Sequence, residues 1–318
     1  MKRETNRAAS AILVADLHLT DTSPISRTDD YQAAQRTSLE FLQSLSRENN
    51  DCPILCAGDV FDHWKASPWL CAFAYKYLPR PFVCIPGQHD LPGHSLGQIE
   101  RAALGLLGRV AEDIHVLQSA DEIYEWSPSQ TPIEVVGIPY GQIDIKARPD
   151  STKKRVEGTR KIIMLHSLIW EKEIPPWSKE GITAQDVVAT FPEADLILVG
   201  DNHQSFVYTR GETILVNPGS MLQMTADQQD YSPRCFLYYA ETNKIRPVYL
   251  PIEKGAINRD HVDSKRERDS RIAAYIEHMN TRWEIGLSFR KNLEAFFAEN
   301  QTPKKVREII WQAMEPPR

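Results

Sequence analysis

The sequence predicts a layered α/β fold, and two observations favour that class. Short apolar runs alternate with amphipathic helical stretches from the first strand to about Leu107. In addition, five apolar runs typical of buried strands are each followed by Asp, His or an amide just beyond their ends. Because sites in open α/β sheets form beyond the carboxyl ends of strands, these five ends predict one metal site.

The first part of the chain supplies three predicted strands and three predicted helices. The helices carry apolar residues at helical spacing, and Pro79 and Pro81 end the second of them. The predicted strands are residues 12–15, Pro53–Ala57 and Phe82–Pro86, and the predicted helices are Tyr31–Ser46, Pro68–Tyr77 and Ser95–Leu107.

The remainder of the chain divides into strands and then helices. Short strands are predicted between Ile114 and Pro139, and a hairpin before Pro251 closes a large domain that spans residues 1–252. Residues 253–318 form a small helical C-terminal region in this prediction. The further strands are residues 162–165, 196–199, 213–216, Cys235–Tyr239 and Ile245–Leu250, and the last two helices are Leu287–Phe297 and Pro303–Met314.

Length and composition are those of an ordinary globular protein. The chain has 318 residues, of which 42% are hydrophobic and 25% charged, so it can bury a large core. No apolar run is long enough to span a bilayer, and the charged start has no signal-peptide core. The five cysteines are an odd number without zinc-knuckle spacing, which indicates buried thiols of a reducing compartment. We therefore expect a cytoplasmic protein with no membrane partner.

The charge balance argues mildly against a nucleic-acid substrate. The net charge is -6, whereas proteins that neutralise phosphates usually carry clustered Lys and Arg. One polar connection, residues 144–161, is nevertheless rich in cations and is the best candidate for contact with a phosphate backbone, although such a run is more often a solvated loop. Its basic residues are Lys146, Arg148, Lys153, Lys154, Arg155, Arg160 and Lys161.

The polar residues at the five strand ends are of the types that bind metal ions. Asp59 follows a glycine, which leaves its carboxylate free to bridge two ions. Mixed carboxylate, imidazole and amide ligands suit Mn(II), Fe or Zn better than Ca(II). Each pair alone would be an ordinary turn, so the prediction depends on the whole set. The candidate ligands are Asp16, His18, Asp59, Gln88, His166, Asp201 and His203.

Two further residues of the third strand end are predicted to take part in catalysis. His89 lies beside the candidate ligands, so it can protonate the leaving oxygen of a phosphoryl group. Asp90 could orient that imidazole, as carboxylates often do for histidines at metal sites. His94 is equally well explained as a loop residue and as a substrate contact.

These motifs resemble those of the calcineurin-like metallophosphoesterases, which implies a layered β-sandwich flanked by helices. Within that superfamily, Val60-Phe61-Asp62 and Asn217-Pro218-Gly219-Ser220 resemble the SbcD-type DNA repair nucleases, in particular their phage-encoded members. The motifs that carry the family resemblance are Asp16-Leu17-His18, Gly58-Asp59-Val60-Phe61-Asp62, Gly87-Gln88-His89-Asp90, His166 and Gly200-Asp201-Asn202-His203.

The resemblance implies two metal ions, most often Mn(II) and alternatively Mg(II), with His89 as the catalytic histidine. Two positions depart from the family pattern, which has Asn at Gln88 and His at Asp201. Both departures fall on the second ion, so that site either prefers Mn(II) or Mg(II) still more or binds its ion weakly. The first ion would take Asp16, His18, Asp59 and His203, and the second would take Asp59, Gln88, His166 and Asp201.

By the same resemblance, the chain is an SbcD-like exonuclease or endonuclease subunit that acts on DNA in recombination and repair. The family's partner is an SbcC-like coiled-coil ATPase, and a homodimer is a further option. The candidate docking segment is Leu287–Met314, through Phe296, Phe297, Ile309, Ile310 and Trp311, although these helices are equally well explained as packing on their own domain. Two other functions stay open: a small-molecule phosphodiesterase or phosphatase, and a non-catalytic scaffold that retains the fold.

Overall fold

The structure is a computed structural model that contains two compact units, residues 1–258 and 259–318. It describes residues 7–128, 130–143, 149–153, 156–253, 255–260, 270–272 and 289–314. Residues 256–258 are tied to the first unit by backbone bonds from Thr28 to Ala256 and from Asn258 to Ser26. The division predicted at residue 252 into a catalytic and a docking region stays a prediction.

The first unit consists of strands and short helices that alternate through much of its length. The strands are β1 (Ala11–Val14), β2 (Ile54–Cys56), β3 (Phe82–Cys84), β4 (Ile114–Val116), β5 (Ile123–Trp126), β6 (Ile133–Ile138), β7 (Arg160–His166), β8 (Ile169–Trp170), β9 (Ile182–Thr183), β10 (Leu196–Gly200), β11 (Phe206–Arg210), β12 (Thr213–Asn217), β13 (Arg234–Tyr239) and β14 (Lys244–Tyr249). The helices are α1 (Tyr31–Glu48), α2 (Pro68–Tyr77), α3 (Ala103–Val110), α4 (Asp150–Lys153) and α5 (Ala184–Thr190).

Two six-stranded sheets form the centre of this unit. The first has the order β14-β13-β1-β2-β3-β4, in which β1 to β4 are parallel and β13 is antiparallel to β1. The second has the order β11-β12-β10-β7-β6-β5, with antiparallel strands only at its two edges. The parallel registers align the carboxyl ends of β1, β2 and β3 in one sheet and of β7 and β10 in the other.

The two sheets pack face to face, and helices cover their outer faces. Leu13, Leu55 and Val83 of the first sheet meet Val135 and Met164 of the second in one buried cluster. The other face of the first sheet packs on α1, α2 and α3, and the outer face of the second sheet packs on α5. This architecture confirms the predicted layered α/β sandwich flanked by helices. Among the described helices, none combines the length and the apolar character needed to cross a bilayer.

The continuous helix predicted over Ser95–Leu107 is wrong, because the chain breaks at Ala102. A 3-10 segment over Leu96–Arg101 precedes α3, and Ala102 between them has extended backbone angles. The amide of Ala103 donates to the carbonyl of Trp64, outside the helix. Periodicity alone could not reveal this break, because it depends on a partner almost forty residues away in the sequence.

The longest described stretch of the second unit, residues 289–314, contains a pair of helices, α6 (Phe289–Glu299) and α7 (Lys304–Met314). The Phe297 and Trp311 rings pack edge to face with centroids 5.8 Å apart, and the Arg290 guanidinium lies over the Trp311 ring. These contacts explain why two short helices join as a hairpin. Within the C-terminal region predicted as helical, residues 261–269 and 273–288 lie outside the described residues.

Candidate metal centre

Four candidate ligands lie at strand ends in a backbone conformation that non-glycine residues rarely adopt. Asp16, His18, Asp59 and Asp201 have φ angles of 50°, 44°, 50° and 86°. Each left-handed residue of this kind costs roughly 1–3 kcal/mol, and the surrounding structure must hold it in place. Such strained positions concentrate at functional sites, where a side chain has to be aimed in a particular direction.

Two glycines allow the loops after β2 and β3 to approach the site. Gly58 has a φ of 97°, and a Cβ atom added there would collide with the His166 ring. A Cβ atom on Gly87 would collide with the Asp59 carboxylate and its backbone amide. Both glycines are therefore required by close packing, and Gly58 is required by its backbone angle as well.

The first group of candidate ligands contains Asp16, His18 and His203, whose ligand atoms lie within 4.8 Å of one another. The two Nε2 atoms of His18 and His203 face each other at 3.1 Å. Two imidazole nitrogens at this distance need either one shared proton or one shared cation. The group thus has the donor atoms and the proximity that a divalent ion requires.

A second group contains Asp16, Asp59 and His166, so Asp16 belongs to both groups. Asp59 Oδ2 is 3.3 Å from Nε2 of His166 and 3.8 Å from Nε2 of His18. Its other oxygen accepts a hydrogen bond of 2.9 Å from the backbone amide of His89. Asp59 Oδ2 is therefore close to one histidine of each group, as a bridging ligand would be.

His166 is held in one tautomer by the backbone of the loop after β2. Its Nδ1 donates to the carbonyl oxygen of Ala57 at 2.6 Å, which directs Nε2 towards Asp59. A histidine that donates its second nitrogen in this way is oriented and made more basic as a metal ligand. Burial alone lowers the pKa of His166, but the charge of Asp59 and its contact with the ring outweigh burial and raise that pKa to about 10.

Gln88 and Asp201 contact each other directly and join the same cluster. Gln88 Nε2 donates to Oδ1 of Asp201 at 2.5 Å. The backbone amide of Asp201 in turn lies 3.0 and 3.2 Å from the two carboxylate oxygens of Asp16. The two positions that depart from the family pattern are thus hydrogen-bonded to one another.

Three buried atoms of the ligands predicted for the second ion lack an ordinary hydrogen bond within the described part of the chain: Gln88 Oε1 has no partner, and Asp59 Oδ2 and His166 Nε2 have only each other, at 3.3 Å. Buried polar atoms are normally paired, so atoms left over at one place indicate a missing partner. All three are of types that coordinate divalent cations. The residues present therefore fit metal ions.

The electrostatics of the cluster favour a bound cation. Burial raises the pKa of Asp16 to about 6, because a charged carboxylate is poorly solvated there. Burial would also raise the pKa of Asp59, yet the positive charges of His166 and His18 lower it below its ordinary value. Burial and the neighbouring His18 lower the pKa of His203 to about 4, which leaves its ring neutral and able to donate a lone pair.

Asp62 contacts two histidines, although the sequence motifs predict no separate role for it. Its backbone carbonyl oxygen is 2.7 Å from Nδ1 of His89 and accepts from that nitrogen. Its carboxylate lies 3.4 Å from Nδ1 of His18, and this contact lowers the pKa of Asp62. The sequence feature that points to this role is the position of Asp62 three residues after Asp59 in the same motif.

Asp90 does not take the predicted role of orienting the His89 imidazole. Its two carboxylate oxygens accept from the backbone amides of Val60, Phe61 and Gly87 at 3.2, 2.9 and 3.0 Å. The side chain is fully buried, and burial raises its pKa to about 7. Asp90 therefore ties the loop after β2 to the loop after β3, while the carbonyl of Asp62 orients the imidazole.

His94 lies in a row of rings that leads to the cluster. Its ring is 5.9 Å from that of Tyr140, which is 6.3 Å from the ring of His166, measured between centroids. His94 also has a φ of 57°. The sequence left His94 open between a loop residue and a substrate contact, and Tyr140 was not singled out at all.

The segment after β12 supports the cluster from behind. The side-chain amide of Asn217 donates to the carbonyl of Asn202, and the amide of Ser220 donates to the carbonyl of His203. The next amide, that of Met221, donates to the carbonyl of Asp16 at 3.1 Å. One short segment thus fixes ligand loops of both sheets.

Comparison with known families identifies this arrangement. The profile of the calcineurin-like phosphoesterases matches residues 10–205, which is more than half of the chain and includes all the candidate ligands. The chain belongs to this family. Calcineurin-like phosphoesterases use two divalent metal ions, and the two groups that share Asp16 are the candidate positions for them. The family assignment supports metal-dependent phosphoesterase activity and leaves the metal open.

Several solved structures are similar to this calcineurin-like phosphoesterase. The protein TT1561 of Thermus thermophilus has 13% identity and a TM-score of 0.48, over 77% of this chain and 100% of that one. An archaeal phosphodiesterase has 10% identity and a TM-score of 0.40, over 76% and 99%. The sulfate thiohydrolase SoxB of Thermus thermophilus, in complex with glycerol, has 12% identity and a TM-score of 0.43, over 85% and 61%. No curated protein matches the chain significantly.

Proposed function

We propose that this protein is a two-metal-dependent phosphodiesterase that cleaves DNA, an SbcD-like nuclease subunit of a recombination and repair complex. The observation that carries the phosphodiesterase part is the His89 imidazole, which lies 4.9 Å from the His18 ring, centroid to centroid, beside the ligand cluster. The preference for DNA rests on the resemblance of the motifs after Asp59 and of Asn217-Pro218-Gly219-Ser220 to the SbcD-type nucleases.

The cluster residues would hold the two ions, and His89 would handle the proton. Asp16, His18, Asp59 and His203 hold the first ion in this proposal, and Asp59, Gln88, His166 and Asp201 hold the second. When bound, the ions supply Lewis-acid activation of a water and neutralise charge on the phosphoryl group.

His89 is positioned to act as a general acid. Its Nδ1 is engaged with the carbonyl of Asp62, so Nε2 is the nitrogen left for a substrate. The side chain is exposed, in contrast to those of Asp16, His18 and Asp59, which are buried. A proton on Nε2 can therefore pass to the leaving oxygen as the phosphodiester bond breaks.

The described residues place a limit on the predicted DNA contact. Arg160 forms an ion pair of 2.7 Å with Asp195, and Lys161 forms one of 2.8 Å with Glu134, so neither cation faces a phosphate backbone. Other basic residues of that stretch lie outside the described residues: Lys146, Arg148, Lys154 and Arg155. A small-molecule phosphodiesterase is the second candidate, and the net charge of -6 favours it.

Hydrolysis assays would separate these candidates. Linear double-stranded DNA, single-stranded DNA and bis-p-nitrophenyl phosphate are compared with Mn(II), Mg(II) or chelator. His89→Asn is tested beside His115→Asn, a change of the same kind at a ring that packs on Tyr124 instead. DNA cleavage that needs metal and falls at least a hundredfold only in His89→Asn supports the nuclease. Turnover of the small ester alone supports the second candidate. If no substrate is hydrolysed even when an SbcC-like ATPase is present, the result supports the non-catalytic scaffold.

The predicted partner would dock on the pair α6 and α7. Ile309 of α7 is 58% exposed, whereas Phe297 is buried, so the docking face in this proposal is centred on α7 and excludes Phe297. Phe296, Ile310 and Trp311, which are partly buried, complete the predicted set. A chain ended after residue 258 should lose co-purification with the ATPase and keep its metal binding. Retained co-purification would move the docking surface to the first unit.

Two further predictions belong to this proposal. The five cysteines are all free thiols, which supports a reducing, cytoplasmic location. A homodimer stays a prediction, and light scattering of the purified protein would test it.

A further inference from the structure

The contact between Gln88 and Asp201 fixes the direction of the Gln88 amide. A carboxylate only accepts hydrogen bonds, so the atom 2.5 Å from Asp201 Oδ1 must be the nitrogen of Gln88. A hydrogen bond to an ionised acceptor is short and strong, so this orientation is well held. The carbonyl end of the amide consequently points away from Asp201.

That carbonyl end is the atom that lacks a partner. Gln88 Oε1 is buried and accepts no hydrogen bond from any described residue, although an amide oxygen in such a place normally does. Asp59 Oδ2 and His166 Nε2, which are also buried and have only each other within hydrogen-bond distance among the described residues, at 3.3 Å, are the remaining donors predicted for the same ion. Asp201 thus presents the amide oxygen of Gln88 for a cation.

The two predicted ion positions differ in their donors. The first is offered two imidazoles, those of His18 and His203, whereas the second is offered one imidazole and the oxygens of three side chains. Oxygen donors suit Mn(II) and Mg(II), and imidazole suits Zn(II). The chemical difference between the positions is thus contributed largely by Gln88 and Asp201.

We propose that Gln88 and Asp201 act as one coupled ligand unit that makes the second ion position selective for Mn(II) or Mg(II) over Zn(II). This inference rests on the proposed two-metal function. Loss of either residue removes the action of both, because Gln88 without Asp201 has no fixed direction and Asp201 without Gln88 loses the donor that holds its carboxylate. Independent ligands would instead contribute separately.

Metal binding without substrate tests this coupling. Titration of the full chain with Mn(II), followed by calorimetry and by the spin coupling of a Mn(II) pair, gives the dissociation constant of the second ion. We expect Gln88→Ala and Asp201→Ala each to weaken it at least tenfold, and the double variant to lie within threefold of the weaker single variant. The coupling would be overturned if the dissociation constant of the double variant increased by the product of the two single effects. It would also be overturned if the wild-type chain bound a single ion.

Selectivity is tested with a second substitution and a matched control. Asp201→His replaces an oxygen donor with an imidazole and should shift the Zn(II)-to-Mn(II) affinity ratio at the second position at least tenfold towards Zn(II). Asp121→His makes the same change at an exposed aspartate and should leave the ratio unaltered. An unshifted ratio in Asp201→His would contradict the proposal.

Folding and function are kept separate in this design. Thermal unfolding of each variant is recorded, and Asp201→Asn, which keeps the shape and removes the charge, replaces Asp201→Ala in the cycle if the alanine variant is unfolded. A wild-type chain with two bound Mn(II) ions and no hydrolysis of any ester would overturn the proposed function while the binding results still decided the coupling.

Discussion

Asp62 is a single residue that controls two histidines through different atoms. The carboxylate is next to Nδ1 of His18 and the backbone carbonyl is bonded to Nδ1 of His89. A change of the side chain therefore affects one histidine and leaves the other held. Burial lowers the pKa of His18, but the contact with Asp62 and the charges of Asp59 and Asp16 raise it overall.

Asp62→Ala is expected to weaken binding of the first ion by about 10- to 100-fold, because partners that orient a ligand have effects of this size. The backbone carbonyl remains, so His89 should keep its tautomer. Calorimetric titration with Mn(II) measures the change, and Asp121→Ala at an exposed position is the control. Unchanged affinity in Asp62→Ala would show that Asp62 does not position His18.

His166 gives a pH dependence for ion binding. Its pKa of about 10 in the metal-free protein means that the ring is protonated near pH 8, and an ion at Nε2 must displace that proton. Affinity should therefore fall as pH falls below 10, by about tenfold per unit where this proton is the one displaced. Calorimetry in buffers of different ionisation enthalpy should show about one proton released per ion at about pH 8. Binding without proton release would contradict this assignment.

At the scale of elements, the strand-end loops depend on glycines that differ in their surroundings. Gly58 and Gly211 both have positive φ, of 97° and 60°. A Cβ atom at Gly58 would collide with the His166 ring, whereas a Cβ atom at Gly211 would have no neighbour within 4 Å among the described residues. Comparing substitutions at the two positions therefore distinguishes the effect of backbone strain, which both share, from that of steric overlap, which occurs only at Gly58.

Gly58→Ala and Gly211→Ala should each lose roughly 1–2 kcal/mol of unfolding free energy from the left-handed backbone. Gly58→Ala should lose a further 1–3 kcal/mol or so, because the His166 ring must move. Urea denaturation of the metal-free proteins measures both. Equal losses of unfolding free energy in the two variants would mean that the His166 ring can move aside without destabilising the fold.

Strand ends could be predicted from the sequence because each combines an apolar run with a polar turn, as at Asp16 and Asp59. The role of Asp90 could not, because its partners are backbone amides of another loop that only the fold brings near. The break at Ala102 was missed for the same reason. Gln88 and Asp201 contact each other although they are 113 positions apart in the sequence. Local sequence periodicity cannot predict a contact over such a distance.

At the scale of the whole molecule, the cluster contains buried carboxylates whose charge bound ions would neutralise. Ions that bind the folded chain alone stabilise it by mass action, by about 2.7 kcal/mol for a single site at a hundredfold excess over the dissociation constant. We expect Mn(II) to raise the midpoint of urea unfolding and chelator to reverse the effect. Asp59→Asn removes the charge of the carboxylate that is close to a histidine of each group. The shift of its urea midpoint on addition of Mn(II) should therefore be much smaller, and an equal shift would place the stabilising ions elsewhere.

The contact of Met221 with the carbonyl of Asp16 has a consequence for synthesis on the ribosome. Asp16 and His18 are made before the other candidate ligands, and β1 can pair with β2 soon afterwards, yet its other neighbour in the sheet is β13, which is made much later. His203 and Met221 are made about two hundred residues later. A nascent chain halted before Met221 would carry the first two ligands without the segment that fixes them. Capture of the first ion is therefore expected to follow the synthesis of Met221, and it would report that the chain has passed this point.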